Sequence, residues 1–87
     1  MHESGIIRDL VRRVEAAAHD AGAEKVSGVE VWVGALSQMS AAHFREHFEE
    51  ESRGTLAEGA ALVLELSDDL GDPRALTVVL QSVDLAV

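Results

Sequence analysis

The feature that most limits what this chain can become is a change of hydrophobic period near residue 25. Ile6, Ile7, Leu10, Val11, Val14, Ala17, Ala18 and Ala21 recur at three- and four-residue spacing, which marks one apolar face of a helix. Beyond Lys25 the repeat shortens: Val29, Val31 and Val33 point one way and Glu30 and Trp32 the other, as in a strand with one face on a core. A chain holding both periods must cover one apolar sheet face with helices.

The remaining elements follow from capping and turn chemistry. Ser4 is placed to cap the first helix and Gly22 to stop it, so a helix is expected over 5–21 and the first strand over 25–36. Ser40 offers a second cap, and Phe44 and Phe48 lie one turn apart in a helix expected over 41–52, ending before Gly54. Leu62, Leu64 and Leu66 alternate with Ala61, Val63 and Glu65, a strand over 61–66, and the run from Ser67 to Pro73 has turn chemistry. A last strand is expected over 75–87. Its apolar phase runs Leu76, Val78, Leu80, then Val83, Leu85, Val87, and the slip at Gln81-Ser82 predicts a bulge. The closeness of the last two strands in sequence predicts that they pair as a hairpin. The expected fold is α+β, a two-layer sandwich of a three-stranded sheet with two helices on one face, formed by a single domain over 1–87.

Composition narrows the function. With 87 residues, the chain buries about 60–65 % of the surface it exposes when unfolded, enough for one modest core but not for a deep enclosed site. Aromatics are only 3 % of the residues, so that core is aliphatic. There is no cysteine, which excludes disulfides, thiolate zinc sites, iron–sulfur clusters and a cysteine nucleophile. Seven Lys and Arg face sixteen Asp and Glu, a net charge of −9. That balance disfavours nucleic acid and anionic membranes, and suits cations or basic protein surfaces. The first residues lack the basic and apolar regions of a signal peptide, and no stretch approaches the ~20 apolar residues of a membrane span. The expected location is the cytoplasm. No spacing pairs a nucleophile with a base and no cofactor motif appears, so the chain is not expected to be an enzyme.

Two sets of residues have the chemistry of metal ligands. Met1-His2-Glu3 presents a free α-amine, the His2 imidazole and the backbone nitrogens of His2 and Glu3 as contiguous donors. Fused chelate rings in one plane suit Ni(II) or Cu(II). His2 is too large for the usual removal of the initiator Met. The competing view is that His2 is a frayed terminal residue. The second set is His43 and His47, at i and i+4 on one helix face with Glu46 and Glu50 nearby. This is not the His-Glu-x-x-His order of a zinc hydrolase, and no third ligand is evident. A solvated face beside Phe44 and Phe48 accounts for it as well. Glu49-Glu50-Glu51 reads as a solvated acidic face, and His19 as a complement to the helix dipole. Trp32 is either a partner surface or covered by a neighbouring element. Gly54 and Gly59 permit turns, and no phosphate-loop lysine follows Thr55.

Four segments carry a resemblance. They are Met1-His2-Glu3, Gly34-Ala35-Leu36-Ser37 after the valine strand, Arg53-Gly54-Thr55-Leu56-Ala57-Glu58-Gly59-Ala60, and Leu80-Gln81-Ser82-Val83-Asp84-Leu85. In that order and spacing, over nearly the whole chain, the sequence resembles the HypA/HybF family of hydrogenase nickel-incorporation proteins. The resemblance implies a nickel metallochaperone or accessory factor for maturation of a nickel–iron hydrogenase. Ni(II) would be held by Met1, His2 and Glu3, and the partners would be a maturation GTPase and the hydrogenase large subunit. A homodimer is also compatible with it. Family members insert a zinc module with two Cys-x-x-Cys pairs between the last two strands. Here only the short Asp68–Arg74 turn stands there, so no zinc is expected. Ser40 also stands where the family often has an acidic residue. A metal-independent adaptor that keeps the fold is the alternative.

Overall fold

The computed structural model describes residues 3–37 and 39–86, the side chains of Glu3 and Ser4 excepted. The elements run α1 (Glu3–Asp20), β1 (Lys25–Val33), α2 (Ala41–Ser52), β2 (Ala61–Leu66) and β3 (Val78–Ala86). Helix α1 starts two residues before the expected boundary, so Ser4 lies inside its first turn and does not cap it. Gly22 ends the helix at φ 69°, a conformation that costs glycine little. Ser40 caps α2 as expected, its hydroxyl accepting from the His43 N–H at 3.2 Å.

The three strands form a mixed sheet in the order β2-β1-β3. β1 pairs parallel with β2, with Val29 opposite Leu62 and Val33 opposite Leu66. On its other side it pairs antiparallel with β3, from Lys25 opposite Ala86 to Val33 opposite Val78. The expected hairpin between the last two strands is therefore wrong. β1 is the most buried strand, with Val26, Val29, Val31 and Val33 all buried, and it takes the position with a neighbour on each side. The β1–β2 connection carries α2, as a parallel pairing requires. The β2–β3 connection then crosses the end of β1 and bonds to it as it passes. Ser67 N–H donates to the Val33 carbonyl at 2.9 Å, Gly34 N–H to Thr77 at 2.9 Å and Leu36 N–H to Ala75 at 2.7 Å. These bonds also end β1 at Val33, short of the expected Leu36. Residues 75 and 77 are held in turns by bonds back to Asp72 and Arg74, so β3 starts at Val78.

Gly34 makes the crossing possible. A Cβ built there would stand 2.6 Å from the Arg74 carbonyl oxygen, closer than any side-chain carbon comes. The expected bulge is present: Ser82 pairs with Glu30 and Leu80 with Val31, leaving Gln81 as the extra residue. A second irregularity on β1 leaves Ser27 unpaired, which lets both Val26 and Val29 face the core. Ile7, Leu10, Val11, Val14 and Ala18 of α1, Phe44 and Phe48 of α2 and the four valines of β1 form that core. Both helices lie on this face. The opposite face carries Glu30, Val63 and Asp84, while Trp32 there is covered by Arg74, whose guanidinium carbon is 4.4 Å from the ring centroid.

Candidate metal centre

The two proposed ligand sets are placed by different elements. Met1 and His2 lie outside the described residues, and so does the side chain of Glu3, the first residue of α1. What the fold shows is where that helix begins. Ile7, fully buried, and Leu10 anchor the first turns of α1 on the sheet. Gly5, Ile6, Asp9, Leu10 and Arg13 share with Val78 a shallow cavity of about 370 Å³. The start of α1 thus sits beside the start of β3, at the end of the sheet where β1 stops. Asp9 and Arg13 are paired there at 3.1 Å across one helical turn.

His43 and His47 lie one turn apart on α2, the first exposed and the second half-buried. The next position along that line is Glu51, whose carboxylate pairs with Arg8 of α1 at 3.3 Å. Among the described residues, no three His, Asp or Glu side chains come together as a metal would need. The histidine pair therefore stands without a third protein ligand from that set. His19 is exposed in the last turn of α1.

Three other residues of interest at the sequence level are structural. Thr55 donates to the Ser52 carbonyl at 2.7 Å and accepts from Ala57 N–H at 3.1 Å. Gly54 and Gly59, at φ 79° and 77°, permit the turns around it. This segment is a clasp: Glu15 of α1 accepts from Leu56 N–H at 3.1 Å, and the Leu56 carbonyl accepts from Val26 N–H at 2.8 Å. It lies at the far end of the sheet from the start of α1. Among the described residues, the ionisable group whose environment moves it is Asp72. The Arg74 backbone N–H, at 2.7 Å, and the Arg74 guanidinium hold its carboxyl below the usual carboxylate range. Sequence reasoning missed the Arg74–Trp32 contact and the close approach at Gly34. A glycine ending a valine strand was the available signal for the second.

The family model described as hydrogenase/urease nickel incorporation, metallochaperone, hypA matches residues 1–70. The chain belongs to the HypA family. The HypA-family chain is 37 % identical to the hydrogenase maturation factor HypA of Chlorobaculum tepidum over 71 residues, 82 % of its own length and 63 % of the relative's. To the HypA of Klebsiella pneumoniae it is 42 % identical over 62 residues, 71 % and 54 % of the two lengths. It therefore spans less than two thirds of these curated relatives. Among solved structures, the Ni metallochaperone HypA from Helicobacter pylori superposes with a TM-score of 0.82 at 19 % identity, covering 99 % of this chain and 98 % of the other. A second HypA solution structure gives 0.74 at 21 %. At such identities these two show the fold, β3 included, which lies beyond the residues the family model matches.

Proposed function

We propose that the chain is a nickel domain without the zinc insertion, which holds Ni(II) at Met1, His2 and Glu3 during maturation of a nickel–iron hydrogenase. The carrying observation is that the match to the nickel-incorporation family begins at residue 1 and takes in this donor set. The donors account for a planar site: an amine, an imidazole and backbone nitrogens in one chelating run. Nothing is turned over; the ion is cargo. A maturation GTPase and the hydrogenase large subunit are the proposed partners, in the cytoplasm. No helix among the described residues is long and apolar enough to cross a membrane.

Isothermal titration of untagged, N-terminally tagged, His2→Ala and His47→Ala proteins with Ni(II) tests this. The tag removes the amine and His2→Ala the imidazole, so both lose binding, while His47→Ala retains it. The amine and imidazole titrate near 8 and 6.5 when free, so binding weakens as pH falls toward about 6. Equal binding by the tagged protein refutes the terminal site. One observation favours a second reading: the β2–β3 connection is short and the chain has no cysteine. If no form binds nickel, a metal-independent adaptor in the maturation complex takes its place.

A further inference from the structure

Among the described residues, four of the five large exposed apolar side chains stand at one end of the molecule. Leu36 follows β1, Leu66 ends β2, and Leu70 and Leu76 ride on the β2–β3 connection, exposed by 42, 51, 66 and 74 %. The bonds from Ser67 to Val33, and from Leu36 and Gly34 to Ala75 and Thr77, tie these segments together. The connection is well ordered by its own side chains: Asp69 accepts from Gly71 N–H at 2.9 Å and Asp72 from Arg74 N–H at 2.7 Å. The leucines are thus held out by a built loop and not by a loose one. This is also the end at which α1 begins, its Gly5 and Ile6 beside Val78. Apolar side chains gathered on a small surface and rimmed by charge mark a protein contact. Here the rim is acidic. Glu65, Asp68 and Asp69 are exposed around the leucines, and Arg74, the cation on the same connection, pairs with Asp72 and lies over Trp32.

From this charge pattern we infer that the leucine-bearing end docks a protein surface with an apolar centre and a basic rim, delivering the start of α1 to that partner. A second copy of this chain is the wrong occupant. It would bring the same acidic rim against itself, and the net charge of −9 on each chain adds to the repulsion. The inference rests on the nickel-delivery reading, because that reading supplies the reason for placing a contact beside the start of α1.

The test titrates purified maturation GTPase, and separately the hydrogenase large-subunit precursor, with the untagged chain. The variants are Leu70→Glu/Leu76→Glu, Glu65→Lys/Asp68→Lys and, as a control, Val63→Glu, exposed in the middle of β2 on the open face. All the substituted side chains are exposed, and each melting temperature is checked first. Expected are wild-type binding to at least one probe that weakens with salt, a loss of about tenfold or more in the leucine and acidic-residue variants, and little change in Val63→Glu. Equal binding by all variants, equal loss in Val63→Glu, no wild-type binding to either probe, or a wild-type dimer broken by the leucine variant each overturns the inference. Nickel titration of the same proteins separates the two ideas. The leucine variant keeps nickel, whereas a wild type that binds no nickel refutes the nickel reading and leaves the docking result to the protein titration.

Discussion

Replacing Phe44 by alanine probes the core where the fold predicts its largest single loss. Phe44 is fully buried at the start of α2, against the valines of β1 and the apolar face of α1. Removing the ring forfeits about 1.5–3 kcal/mol of transfer free energy. The cavity left behind adds to this, because neighbours on a rigid sheet close in only partly, and the total comes to about 3–5 kcal/mol. A domain of 87 residues has about 4–13 kcal/mol in all, so the variant keeps only part of its stability. At 4–8 °C per kcal/mol for a domain of this size, the melting temperature falls by at least about 12 °C. Circular dichroism follows the helices, and fluorescence of Trp32, the one tryptophan, follows the far face of the sheet. Coincident transitions from the two validate the two-state treatment. His43→Ala, one residue away and exposed, stays within about 0.5 kcal/mol of wild type. A loss below about 1 kcal/mol in Phe44→Ala would falsify the packing of α2 described above.

Gly34→Ala forces the β2–β3 connection off the end of β1, since its Cβ meets the Arg74 carbonyl at 2.6 Å; a lower melting temperature with red-shifted Trp32 emission is expected, and unchanged emission counts against the crossing. Exhaustive chelation leaves the circular dichroism spectrum intact, because the described residues build one apolar core and no cysteine is present to bind zinc; unfolding that zinc reverses sinks this. Asp72 titrates below the ordinary aspartate value through its bonds to Arg74. With the folded value depressed, its contribution to the loop is present above about pH 4 and lost as pH falls through the folded value. Carbon-detected NMR of its carboxyl reads this directly, and Arg74→Ala brings the midpoint back up; an identical midpoint in both proteins contradicts the assignment.

The local elements were legible because their signals are local. The i, i+4 pair Phe44 and Phe48, the caps at Ser40 and Gly22 and the phase slip at Gln81 each depend on neighbours within a turn or a strand. Strand order was not legible, because it depends on which strand has two apolar neighbours to satisfy. Proximity in sequence pointed to a β2–β3 hairpin, whereas β1 stands between the two. Trp32 was ambiguous for a related reason. Its cover, Arg74, lies 42 residues along the chain and arrives only because Gly34 admits the crossing strap. Of the resemblance-bearing segments, the Arg53–Ala60 run proves to be a clasp on Glu15 and Val26. The Met1-His2-Glu3 set falls on chemistry that spacing identified and the described residues do not reach.

The central placement of β1 also governs the order of assembly. Synthesis delivers β1 early, but its partners arrive only with residues 61–66 and 78–86. Until then a nascent chain carries a valine-rich strand with both edges unpaired, the kind of segment that joins other chains. Because its pairings reach from Gly28 to Ala61 and from Lys25 to Ala86, the sheet closes late and over long loops, which slows folding. Helices α1 and α2, each formed by contacts within a few residues, are the elements able to shield that strand in the meantime. A chain cut before β3 therefore leaves β1 with one edge open and is expected to aggregate rather than to behave as a smaller version of the same domain.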